Sequence, residues 1–76
     1  MTHDEKLDRL RNTLRMRLSL YDLKPNARGK WPKKAEELGL EFLMGALTLD
    51  DSLSGTVFLV SVRGISEFLN YEPAQV

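Results

Sequence analysis

The sequence predicts an all-α protein, a small bundle of three to four helices that is completed by dimerisation. Apolar residues recur at helical spacing over most of the chain, and helix start and stop signals separate these segments. Only GTVFLVSVRG, residues 55–64, has the β-branched composition of a buried strand. A strand must pair, and the chain contains no second such segment. The alternative is therefore an α+β fold in which residues 55–64 pair as a strand across a dimer.

The short chain limits how stable the folded protein can be. A single domain of 76 residues buries only ~60% of the surface that its unfolded chain exposes, so its core is marginal. The chain has no cysteine, and His3 is its only histidine, which leaves no disulfide and no evident metal site as support. We therefore expect a homo-oligomer, a dimer, and no cofactor or metal.

The first helix is predicted over about residues 3–23. Thr2 and Glu5 match the capping box, in which a hydroxyl and a carboxylate satisfy early backbone N–H groups. Pro25 disfavours helical geometry in the preceding residue and should end the helix. One stripe at helical spacing faces the core, formed by Leu7, Leu10, Leu14, Leu18 and Tyr21.

A second helix is predicted over residues 32–49, after a basic connection at residues 24–31. Pro32 suits the first helical position, where its missing N–H would have no partner. Gly39 and Gly45 would allow close approach of a neighbouring backbone, at some cost in helix stability.

The last part of the chain is predicted to contain two shorter segments. Asp50-Asp51-Ser52 breaks the second helix and supplies a side-chain cap for the next. The apolar segment at residues 52–63 is predicted to form a helix. Gly64 is expected to end this helix by adopting a left-handed backbone conformation. A short helix follows at residues 65–70, and the tail YEPAQV is expected to be loose.

The candidate partner-binding residues surround the second helix start. They are Arg28, Lys30, Trp31, Lys33 and Lys34, in a stretch from residue 24 to residue 34 that has no carboxylate. Lysines at a helix N-terminus interact unfavourably with the helix dipole, so their presence indicates a role other than stabilising the helix. Two interpretations of the tryptophan remain open: it is an exposed contact residue among the cations, or its ring covers the small core. The first helix carries further arginines, for which intrahelical and solvent contacts are expected: Arg9, Arg11, Arg15 and Arg17.

Composition narrows the possible functions. Eleven cationic and eleven anionic side chains cancel, so no overall field attracts nucleic acid or anionic membrane. The sequence has no signal-peptide pattern and no apolar run near the ~20 residues of a membrane helix, which predicts a cytoplasmic protein. It also lacks a placed nucleophile and base, and we expect no enzyme activity. A protein-binding module is the main hypothesis. The alternatives are a nucleic-acid-binding regulator that uses the basic residues 24–34 and a structural subunit of a larger assembly.

One pattern resembles those of very short accessory proteins encoded by phages and prophages. It consists of EFLMGAL, residues 41–47, preceded by the basic loop and followed by VSVRG, residues 60–64. The resemblance covers roughly residues 28–65. It implies a protein that binds and inhibits or modulates a host protein or defence complex, and it assigns no functional residue.

Overall fold

The computed structural model describes residues 2–72, and over this range the chain forms four α-helices and no strand. The helices are α1 (His3–Ser19), α2 (Lys33–Leu49), α3 (Ser54–Arg63) and α4 (Ile65–Asn70), with a 3-10 turn at Asp51–Leu53 before α3. The all-α prediction is confirmed, and the strand alternative is wrong because residues 55–63 are helical. The end of the predicted loose tail, residues 73–76, lies outside the described range.

The end of α1 differs from the prediction. The helix stops at Ser19, four residues before the predicted end, and Pro25 is not what stops it. Asp22 takes a left-handed backbone with φ of 59°. The N–H of Leu23 then donates to the carbonyl of Leu18 at 3.0 Å, and the N–H of Asp22 donates to that of Ser19 at 3.1 Å. These two bonds form a Schellman motif, with aspartate where glycine is usual.

The start of α1 lies beside the end of α2. Thr2 Oγ1 accepts a hydrogen bond from the N–H of Glu5 at 3.2 Å, as the capping box predicts. Asp50 caps the 3-10 turn by accepting from the N–H of Ser52 at 3.0 Å. Its other carboxylate oxygen lies 2.6 Å from Nζ of Lys6. The cap and the ion pair together join the two helices at this end of the bundle.

The core contains side chains from every helix and from the connection before α2. The buried apolar residues are Leu14, Leu18, Trp31, Ala35, Leu43, Leu53, Val57, Val60, Ile65, Phe68 and Leu69. Of the two glycines expected to allow close approach, only Gly39 does so, since an added Cβ would lie 2.8 Å from Ile65 Cδ1. A Cβ at Gly45 would meet nothing within 4 Å. Gly39 is therefore the point at which α2 and α4 pack most closely.

Helix α4 has only six residues and depends on other helices at both ends. At its start, both carboxylate oxygens of Glu36 accept from the N–H of Ile65, at 2.8 and 2.9 Å. At its end, Arg11 Nε donates to the carbonyl of Phe68 at 2.6 Å, and Arg15 Nε donates to that of Leu69 at 2.8 Å. A carboxylate at the N-terminus and guanidinium groups at the C-terminus complement the helix dipole.

The burial of Arg11 corrects the expectation that the α1 arginines only meet solvent and their own helix. Arg11 is 5% exposed. Its guanidinium lies over the rings of Phe68 and Tyr71, at 4.8 and 4.7 Å from their centroids, and pairs with Asp8 at 2.5 Å. Two of the four arginines, this one and Arg15, therefore hold α4 in place.

No helix in the part of the chain that the structure describes is both long enough and apolar enough to span a membrane.

Candidate protein-binding surface

The predicted cations lie together on the surface around the start of α2. Arg28, Lys30, Lys33 and Lys34 are all exposed, and we call these four residues the basic patch. Within residues 2–72 the ion pairs involve other cations, and none of the four joins one. As far as the described residues go, the patch therefore presents four positive charges that join no ion pair.

Trp31 is part of the core, which agrees with the second of its two interpretations, that its ring covers the small core. It is 8% exposed. Its indole Nε1 donates to Oδ1 of Asn70 at 3.0 Å, and its backbone N–H donates to Oγ of Ser66 at 3.0 Å. A ring that is enclosed and hydrogen-bonded in this way has no free face for a partner. These two hydrogen bonds hold the loop before α2, which carries part of the patch, against α4.

The loop before Trp31 is held by hydrogen bonds. Asn26 Oδ1 accepts from the N–H groups of both Arg28 and Lys30, each at 2.9 Å. Gly29 has a φ of 81°, which glycine adopts without strain, and its carbonyl accepts from Asn70 Nδ2 at 2.6 Å. The sequence does not single out Asn70, because its partners lie about forty residues earlier in the chain. These contacts order the backbone of the patch before any partner binds.

Lys33 and Lys34 occupy the first turn of α2 without a cap. Pro32 precedes them as the N-cap residue and makes no side-chain hydrogen bond to the helix. The N–H groups of the first two helical residues have no partner within the helix, as at any helix start. The partial positive charge of the helix N-terminus therefore adds to the two lysines.

Glu36 is the nearest acid in sequence after the lysines, and within the described residues it forms no ion pair with them. Both of its oxygens are directed to the N–H of Ile65. Glu37 is exposed and remains the one neighbouring carboxylate in sequence that could offset the patch. The four cations of the patch thus have no direct carboxylate partner within the described residues, although the whole chain has no net charge.

A cleft lies elsewhere among the described residues, between α1 and the α3–α4 region. It measures about 270 Å³ and has apolar walls that include Leu7, Leu59 and Phe68. Its polar groups pair with one another, Asp8 with Arg11 and Arg63 with Glu67. Among the described residues, no three His, Cys, Asp or Glu side chains are grouped to hold a metal ion.

No protein-family model, no curated protein and no solved structure matches the chain. The function must therefore be inferred from the chemistry of its own residues.

Proposed function

We propose that the protein is a non-enzymatic protein-binding module that acts in the cytoplasm, and that its basic patch contacts an acidic surface of a protein partner. The observation that carries the proposal is a set of four exposed cations on a hydrogen-bonded backbone, none of which joins an ion pair within residues 2–72. Two of them lie at a helix start, where lysine destabilises the fold. A binding role accounts for residues that folding alone disfavours.

A protein partner fits the surface better than a nucleic acid. Single-stranded nucleic acids are held by cations together with aromatic rings on which bases stack, and the only ring within residues 24–34 is the buried Trp31. The exposed side chains of Leu20 and Tyr21 precede Lys24. Apolar surface next to cations is common in protein–protein interfaces, whose cores are apolar and whose rims are polar.

The resemblance to phage and prophage accessory proteins supports a narrower version of this proposal. In that version the partner is a host protein or defence complex, and the module inhibits or modulates it. The resemblance indicates only the class of partner. The charge of the patch indicates the chemistry of the contact, because four cations would bind a carboxylate-rich surface of that partner.

The test is capture of a stoichiometric partner from bacterial lysate with three forms of the protein. The wild type is compared with the double variant Lys33→Glu/Lys34→Glu and with Arg9→Glu/Arg17→Glu, which changes the net charge equally on exposed residues outside the patch. We expect the partner to be retained by the wild type and by the control variant, and lost from the patch variant. Equal recovery on the patch variant would refute the role of these lysines.

A second experiment distinguishes a nucleic-acid partner from a protein partner. Single-stranded DNA is titrated at low and high salt against the same three forms. We expect little binding. Tight binding that falls steeply with salt and is lost in the patch variant would favour the regulator that binds nucleic acid.

A further inference from the structure

Helix α3 has an apolar face that nothing in the described chain covers. The face consists of Gly55, Phe58, Leu59 and Val62, at the i, i+3, i+4 and i+7 spacing of one helical stripe. The three side chains are 65, 51 and 66% exposed. The opposite side of the helix already supplies Val57 and Val60 to the core. We call the uncovered side the outward face of α3.

We infer that a second copy of the chain covers this face, with the two α3 helices packed antiparallel about a two-fold axis between Phe58 and Leu59. The outward face carries no charged side chain, so two identical faces can meet without repulsion. Charges flank it at both ends, with exposed Asp51 before the helix and exposed Arg63 as its last residue. Antiparallel packing brings Asp51 of each copy towards Arg63 of the other. It also places the N-terminus of each α3 dipole beside the C-terminus of the other, which is favourable.

Gly55 provides a steric reason for the same arrangement. A Cβ at this position would meet nothing within 4 Å in one copy. The fold of the monomer therefore does not require glycine here, although glycine weakens a helix. With the two-fold axis between Phe58 and Leu59, Gly55 lies opposite Val62 of the second copy. A residue without a side chain opposite a branched one allows the two backbones to approach.

The area of the face sets the expected strength of the dimer. A large apolar side chain carries roughly 150–200 Å², and three that are half to two-thirds exposed offer about 300 Å² per copy. Two copies would bury about 600 Å² of apolar surface through these side chains, which is below the roughly 1,200 Å² of total area at which stable interfaces begin. We therefore expect a weak dimer whose population depends on concentration.

This inference goes beyond the proposed function, because the outward face shares no residue with the basic patch. A dimer built through α3 would carry two copies of the patch. Two linked patches bind a multivalent partner more tightly than one, without any new contact.

The test is sedimentation equilibrium of the full chain over a range of concentrations. We expect the average mass to rise from 8.7 kDa towards twice that value. Val62→Lys should weaken the dimer at least about tenfold, because it places a charge against the apolar side chains of the second copy. The matched control is Leu49→Lys, at the last residue of α2, where the side chain is 90% exposed and lies outside the face. A monomer at every concentration, or equal effects of the two variants, would overturn the inference.

Two further comparisons test the antiparallel arrangement. Gly55→Leu should leave the thermal stability of the dilute monomer intact and weaken the dimer, whereas Gly45→Leu, at an equally open site, should not affect dimerisation. Asp51→Lys and Arg63→Glu should each weaken the dimer a few-fold, and the double variant should recover most of that loss. No recovery in the double variant, or a dimer unaffected by Gly55→Leu, would contradict this packing.

Discussion

Replacing Lys33 and Lys34 by glutamate should make the protein more stable. Both side chains are exposed in the first turn of α2, neither is in an ion pair within the described residues, and Pro32 offers no side-chain cap. The helix N-terminus carries a partial positive charge, so two lysines there are unfavourable and two glutamates would be favourable. The change removes an unfavourable interaction and adds a favourable one at each position.

The size of the gain follows from the exposure of both sites. An exposed charge at a helix terminus contributes ~0.3–1 kcal/mol at low salt, so the four contributions of the double reversal should raise the free energy of unfolding by about 1–4 kcal/mol. For a domain of this size, each kcal/mol corresponds to an increase in Tm of roughly 4–8 °C. Circular dichroism during heating at low salt measures it, and Lys33→Gln/Lys34→Gln should give about half the effect.

High salt provides the control for the electrostatic origin of this gain. At about 1 M salt, screening acts over ~3 Å, and most of the difference in Tm should disappear. An unchanged or lower Tm at low salt would show that the two lysines do not destabilise the fold. In that case the reason for assigning them to a partner would be lost.

Three further predictions concern single positions. Gly39→Ala should lower the free energy of unfolding by about 1–3 kcal/mol, because the added Cβ would overpack the contact with α4. Gly45→Ala should raise the free energy of unfolding by up to ~1 kcal/mol, because alanine favours the helix more than glycine does. Urea unfolding of both variants measures the difference. Asp22→Gly should raise Tm by a few degrees in a heating scan, since glycine takes a positive φ without strain. The ion pair with Lys6 and the bonds from the turn lower the pKa of Asp50 to about 2. Its contribution to stability should therefore be complete above about pH 4 and lost as the pH falls towards 2, and Asp50→Asn should lack this part of the pH profile.

Local signals account for the part of the fold that the sequence predicts well. Thr2 with Glu5 marks the start of α1, and Asp50 caps the turn before α3 as expected. Gly64 ends α3 with a positive φ of 97°. Each of these features depends on residues only a few positions apart. The error at the end of α1 has a local cause too, because Asp22 adopts a conformation that is more typical of glycine.

Contacts between distant residues explain what the sequence does not reveal. Arginine is a residue type that is usually exposed, and the carbonyl that Arg11 binds belongs to Phe68, far along the chain. Two interpretations of Trp31 fit the sequence, and the structure buries the ring with a hydrogen bond to Asn70, which lies far along the chain. For the candidate site, the sequence therefore predicts the position of the cations, while the role of the tryptophan requires the tertiary structure.

Zero-length cross-linking in bacterial lysate tests the central claim most directly, namely that the basic patch touches carboxylates of another protein. A carbodiimide joins a lysine amine to a carboxylate that it contacts. The pair between Lys6 and Asp50, at 2.6 Å, provides an internal positive control. We predict cross-links from Lys30, Lys33 or Lys34 to aspartate or glutamate of one protein partner. Cross-linking of the internal pair with none from these three lysines to another protein would contradict the account.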